Sequence, residues 1–269
     1  MKRFNIFLLF VFTWLLMLSF FFYLELKEAI NFNYLNFYYN ETEVQKAYAA
    51  TAEIAVFKNG DMYGCTAFAY KRTGNEYSFI TAAHCVSTTD DEKHEIIMNA
   101  EIVLLKLHDE VNVDDVHYYF GIVDAVGYET VGHDFAILSA KIYDREIPVF
   151  TLADYPLEKN QCVFNVSYPA EADGNVFFGS VTETDEDYIL SKLFGIQVAS
   201  GASGSALVGC TSGKVHGIVY AWRENTKELI SIPIDRFKMF EEKVRNHKYL
   251  FPVRGMGEDN ICEIDEESY

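Results

Sequence analysis

The chain opens on an apolar block. From Phe4 to Leu24 there is no charged residue, and only Asn5, Thr13 and Ser19 interrupt the run. A helix rises ~1.5 Å per residue, so a run of this length crosses a hydrocarbon layer about 30 Å thick. A segment apolar on every side at one end of a chain predicts a membrane helix rather than a core helix. Two readings stay open: an uncleaved anchor, or a signal peptide removed on export. The length of the run and the lack of a small-x-small cleavage site after it favour the anchor. Glu25 to Tyr48, rich in Asn, Tyr and Phe, fits either a stalk or a helix lying on the domain or the membrane surface.

From Ala52 the texture changes to short β-type runs separated by turn residues. Glu53–Phe57 and Met62–Tyr70 read as a hairpin about Asn59-Gly60, and Thr73-Gly74-Asn75 as the next turn. Further strands are expected at Tyr77–Ala82, Glu101–Leu107, Phe135–Leu138, Cys162–Tyr168, Gly179–Glu183, Ser205–Val208 and Val215–Trp222. Only Asp235–Asn246 carries a helical period, through Phe237, Phe240 and Val244. Many short strands and one late helix predict an all-β barrel or sandwich. Tyr143 to Lys159, with Pro148 and Pro156, reads as a connection between two halves.

Charge narrows the partners. Lys2 and Arg3 precede the apolar block while Glu25, Glu28, Glu41 and Glu43 follow it. The positive-inside rule leaves the N-terminus in the cytosol and sends the rest across the membrane. A net charge of -18 argues against a nucleic-acid partner, because phosphate contacts need clustered Lys and Arg. The acidic residues crowded after Arg254 read as a solvated tail.

Three segments carry chemistry. His84 follows an apolar strand ending in small residues, Phe79-Ile-Thr-Ala-Ala-His84-Cys85. Asp134 opens another in His133-Asp134-Phe-Ala-Ile-Leu138. Ser203 sits in a glycine turn, Gly201-Ala-Ser203-Gly-Ser205. Base, orienter and nucleophile are thus present: a Ser hydroxyl needs an imidazole to take its proton, and the imidazole needs a carboxylate to set its tautomer. Glycines around Ser203 allow the N–H groups of Gly201 and Ser203 to aim at one oxyanion. Singly these signals are weak; the order His, Asp, Ser is specific, and it differs from that of α/β-hydrolases, whose Ser comes first. Neither a Cys-x-x-Cys nor a His-x-x-x-His spacing occurs, so no metal and no cofactor are expected.

On these segments, residues 52 to 245 resemble the trypsin/chymotrypsin family. The resemblance implies two six-stranded antiparallel barrels with a C-terminal helix, the triad His84, Asp134 and Ser203 lying between them, and Gly201 and Ser203 forming the oxyanion hole. It divides the chain into a cytosolic stub (1–3), anchor (4–24), stalk (25–51), first barrel (52–150), second barrel with helix (151–250) and acidic tail (251–269). It also implies the disulfides Cys65–Cys85 and Cys162–Cys210, which suit an oxidising compartment, and leaves Cys262 over.

The departures are as telling. Where zymogen members of that family carry an Asp before the nucleophile, Ala202 stands here, and no Ile-Val-Gly-Gly activation site precedes the first strand. The disulfide beside the specificity pocket is missing, with Ala199 near one of its positions. Ile230-Ser-Ile-Pro-Ile-Asp235 is similar to the end of the second barrel in V8-like and HtrA-like branches. Gln197 falls at the pocket floor, and Tyr220 and Trp222 on the strand expected to bind extended substrate. Trp222 narrows that pocket where Gly is usual. The expected function is a serine endopeptidase acting on protein or peptide; the crowded strand and Ala202 motivate the alternative, an inactive relative serving as a binding module. Asn40-Glu-Thr42 and Asn165-Val-Ser167 match the glycosylation sequon.

Overall fold

The computed structural model describes residues 41–58, 60–90, 95–108, 116–128, 133–168, 175–194 and 201–246, together with residues 14, 17–19, 253 and 254. Residues 1–39 and 40–269 form separate compact units. In the first, Trp14 and Met17 to Ser19 are helical. The remainder of the expected anchor lies outside the described residues, as do Asn40, Gln197, Ala199, Cys262 and the acidic tail beyond Arg254. Among the described residues no helix is long and apolar enough to cross a membrane.

The second unit begins with helix α1 (Glu41–Ala49), which resolves the end of the expected stalk. Ala47 and Ala49 are buried, and Thr51 Oγ1 donates back to Ala47 O at 2.7 Å, tying the helix to the strand that follows. That strand, β1 (Thr51–Lys58), pairs with β2 (Asp61–Thr73) in the hairpin the Asn-Gly dipeptide announces. With β3 (Glu76–Thr81), β6 (Ala100–His108), β7 (Val116–Val126) and β8 (Ala136–Lys141) they close a six-stranded barrel, order β1-β2-β3-β8-β7-β6. Alternation fills it: Ile54, Val56, Ala67, Phe79, Leu105 and Leu138 point inward and are buried. A short helix α2 (Ala83–Val86) and a hairpin of β4 (Ser87–Asp90) and β5 (Glu95–Met98) interrupt the barrel after β3.

A second closed barrel follows, order β10-β11-β14-β13-β12-β9. Its strands are β9 (Cys162–Ser167), β10 (Asn175–Thr184), β11 (Ile189–Leu193), β12 (Ala206–Gly209), β13 (Val215–Arg223) and β14 (Glu228–Pro233). The chain between the barrels is stitched to both. Phe150 N–H donates to Ala69 O on β2 at 2.8 Å, while Thr151 O and Ala153 N–H bond Val215 on β13. Helix α3 (Ile234–Arg245) leaves the second barrel and lies on the first: Phe237, fully buried, meets Phe135 and Tyr70 edge-on. A two-residue strand β15 (Val253–Arg254) runs parallel to β5.

Both disulfides are formed, Cys65–Cys85 and Cys162–Cys210. The two six-stranded barrels and the C-terminal helix are as expected, while the strand list needs correction. Strands β4, β5, β7, β11 and β15 carry no expectation above, β14 only the likeness of Ile230–Asp235 to the end of a second barrel, and β10 begins at Asn175 rather than Gly179. The miss at β7 has a physical cause. Val-His-Tyr-Tyr-Phe-Gly-Ile-Val places apolar groups on both faces of the strand, so the alternation that marks a half-buried strand is erased.

Candidate active site

His84 is held by its backbone before its ring is considered. Ala82 and Ala83, both buried, lead from the end of β3 into α2. Cys85 joins Cys65 on β2, so the residue after His84 is covalently tied to the barrel wall. Asp134 sits between Gly127 and Phe135 and is closed from solvent. Gly127 N–H donates to Phe135 O at 2.7 Å, and a Cβ on Gly127 would lie 2.2 Å from His133 O, so the loop closes only with glycine there. Phe135 is clamped from outside by Phe237 and Phe240 of α3. The second half of the chain thereby fixes the acid of the first.

The two groups meet twice. His84 N–H donates to Asp134 Oδ1 at 2.8 Å, and His84 Nδ1 lies 2.5 Å from Asp134 Oδ2. A buried carboxylate is costly unless compensated, and here both its oxygens are engaged by one residue. Next to Asp134 in sequence, His133 has its pKa lowered by burial foremost, then by Arg236 and Lys243. With Nδ1 turned to Asp134, Nε2 lies on the opposite edge of the ring. The His84 side chain is 26% exposed.

The turn carrying Ser203 is tied to β2. Thr66 N–H donates to Ser203 O at 2.9 Å, and Thr66 Oγ1 donates to Gly201 O at 2.7 Å. Thr66 O in turn accepts from Thr81 Oγ1 at 2.8 Å, three residues before His84. Gly204 is wedged against the same two threonines: a Cβ there would fall 2.2 Å from Thr81 Oγ1 and 2.3 Å from Thr66 O. On the other side Gly204 N–H donates to Val219 O at 2.8 Å, next to Tyr220. Ser205 Oγ donates to Ala202 O at 2.6 Å and accepts from Asn165 Nδ2 at 2.8 Å, bracing the turn from β9. Gly201 and Gly204 adopt φ of 107° and 85°, conformations that side chains resist. Among the described residues, no oxygen accepts from the N–H of Gly201 or Ser203.

Sequence reasoning gave Thr66, Thr81 and Asn165 no part in the site. Each looks like an ordinary strand residue, and only the inter-barrel contact gives it a task. Asn165, whose sequon suggested a glycan, is fully buried and closed to modification in the folded protein. Cys65, His84 and Cys85 also bring three potential metal donors within 4.8 Å. Both sulfurs are consumed by the disulfide, so this cluster is a loop anchor rather than a metal site.

The model of the trypsin-like peptidase domain family matches residues 65–218, more than half of the chain. The chain belongs to that family. No curated protein sequence matches it. Among solved structures, the serine endoprotease of Yersinia pestis superposes with a TM-score of 0.59 at 17% identity, over 77% of this chain and 67% of that one. A protease of M. tuberculosis in its active form gives 0.58 at 16%, over 78% and 86%. The HtrA-type protease AlgW, solved with a tripeptide, gives 0.59 at 19%, over 77% and 64%. At such identities the likeness is one of fold.

Within this trypsin-like domain, Tyr220 and Trp222 both lie on β13, with Tyr220 beside His84. The β13–β14 ladder slips between Val219 and Ala221, leaving Tyr220 in a bulge, where its ring stands edge-on to His84 with centroids 6.3 Å apart. Trp222 is half-buried and packs on the core of the second barrel. Ala202, in the zymogen-Asp position, is buried in that same core.

Proposed function

We propose that this trypsin-like domain is an active serine endopeptidase, tethered by residues 4–24 with its catalytic domain beyond the membrane. The observation that carries the reading is the buried Asp134 holding His84 by two contacts while Thr66 pins the Ser203 turn to the same barrel wall. In this reading Nε2 of His84 takes the proton from Ser203 Oγ as that oxygen attacks a peptide carbonyl. The N–H groups of Gly201 and Ser203 stabilise the resulting oxyanion. The imidazolium, held by Asp134, then gives its proton to the departing amine, and water releases the acyl group by the reverse sequence. Tyr220 and Trp222 line the strand on which substrate would lie, and Gln197 its pocket. The buried Ala202 needs no liberated ammonium as partner, which supports a site assembled without zymogen cleavage. The two disulfides support an oxidising compartment, in keeping with Lys2 and Arg3 on the cytosolic side.

A fluorophosphonate probe followed by peptide mass spectrometry tests the chemistry without knowledge of the substrate. Labelling at Ser203 that disappears in His84→Ala is expected. Folded, disulfide-intact protein that takes no label between neutral and alkaline pH would turn the assignment to an inactive binding module.

A further inference from the structure

The outer wall of the first barrel is apolar where a small barrel in water is usually polar. Its register places the groups in rows, because residues directly opposite one another share a face. One row runs Gly64, Ala55, Leu104, Phe120 across β2, β1, β6 and β7. The next holds Met62, Phe57 and Ile102, with Ile122 one step past the last β6–β7 pair, Val103–Gly121. The inward neighbours Ile54, Val56 and Leu105 already fill the core, so this second set is not needed for folding. Phe120 is 74% exposed, Met62 67% and Ile122 65%. Only the third row brings charge, as the Glu53–Lys106 ion pair at 2.7 Å, and it ends on exposed Tyr118.

Two features say what the face receives. It is continuous with the candidate active site. Thr66, which bonds Ser203 O and Gly201 O, belongs to the third row, and Gly64 lies two residues farther along β2, roughly 7 Å. It also contains a recess. β7 pairs with β6 up to Gly121 and with β8 only from Ile122, and where β7 and β8 part there is a half-open recess of about 400 Å³, apolar on the side of Tyr118, Phe120 and Ile122 and lined on the other by Glu76, Ser139 and Lys141. A recess of that size takes a side chain, whereas a bilayer surface would meet a convex face. The exposed apolar groups amount to roughly 500 Å², at the upper end for one patch on a soluble monomer. That is well short of the ~800 Å² per partner of a stable protein pair. A chain already held in the cleft needs far less, since its second contact is intramolecular.

We propose that this face, centred on Phe120, Ile122, Ile102 and Met62, is a docking surface for an apolar stretch of an extended polypeptide substrate whose scissile bond lies at Ser203. The proposal rests on the protease reading for its purpose but not for its test. Fluorescein-labelled, reduced and carboxymethylated lactalbumin, an unfolded apolar chain, is titrated by anisotropy against the full-length Ser203→Ala protein in nanodiscs. Adding Phe120→Ser with Ile122→Ser is expected to weaken binding about tenfold, equivalent to ~1.4 kcal/mol. Phe120→Leu with Ile122→Val restores it, and Met239→Ser, an exposed apolar position on α3, has no effect. With Ser203 present, the double serine variant slows hydrolysis of the same protein through KM, while fluorophosphonate labelling proceeds at the parent rate. Equal binding in parent and double variant overturns the proposal, as does labelling that falls together with hydrolysis. Cross-links between two copies that vanish in the variant, with lactalbumin binding unchanged, would assign the face to self-association instead. A parent protein that takes no fluorophosphonate label counts against the protease reading alone, since the binding titration does not use Ser203.

Discussion

Thr66→Val removes one oxygen and little else. Thr66 is fully buried, and its hydroxyl donates to Gly201 O at 2.7 Å while accepting from Tyr168 N–H at 3.1 Å. Valine keeps the shape but leaves a buried carbonyl and a buried N–H without partners. Each orphaned group costs ~1–2 kcal/mol, so the variant should lose about 2–4 kcal/mol of stability in urea unfolding. The carbonyl left free belongs to the Gly201–Ala202 peptide, whose orientation sets the turn presenting the oxyanion donors. Complete loss of one such donor costs ~10²–10³ in rate; a loosened one should cost about 10–10² in acylation by fluorophosphonate or an ester. Thr66→Ser retains the hydroxyl, gives up only a methyl group worth ~1 kcal/mol, and should acylate near the parent rate. Two results would refute the reasoning: Thr66→Val acylating as fast as the parent, or Thr66→Ser losing as much as Thr66→Val.

Asp134→Asn should leave the fold intact and slow acylation by ~10⁴, because the ring then takes the wrong tautomer; an effect under tenfold would deny Asp134 that role. Stability should fall on acidification from pH 7.5 to 5.5. Burial is the leading cause of the lowered pKa of both His133 and His216, so below the unfolded value of ~6.5 the unfolded chain binds protons that the folded one refuses; a flat urea-midpoint profile would contradict this. The disulfides close loops with sequence separations of 20 and 48, and chain entropy assigns them about 3 and 4 kcal/mol. Replacing Cys162 and Cys210 by Ala should therefore destabilise at least as much as replacing Cys65 and Cys85, whereas labelling should suffer more from losing Cys85, the neighbour of His84. Removal of residues 1–40 should leave the labelling rate unchanged, since Ala202 awaits no new N-terminus. Removal through Ala50 should lower the unfolding midpoint, because Ala47 and Ala49 are buried; a rate that jumps at one particular new terminus would reveal a zymogen.

Much of this protein is written locally. The Asn59-Gly60 turn, the apolar strands ending in His84 and beginning at Asp134, and the glycine turn at Ser203 are each set by residues adjacent in the chain, because backbone torsions and strand period are short-range properties. The His, Asp, Ser order and the cysteine positions could therefore be read before any coordinates, and with them the two-barrel architecture. What the chain could not declare is what residues far apart do to one another. Thr66 serves Gly201 across 135 positions, and Asn165 braces Ser205 across 40. A threonine in a strand looks the same whether its hydroxyl faces water or a catalytic turn. Strand β7 hid for the related reason that both of its faces are apolar. Periodicity reports burial against a single core, and only the closed barrel shows that one of those faces is turned outward.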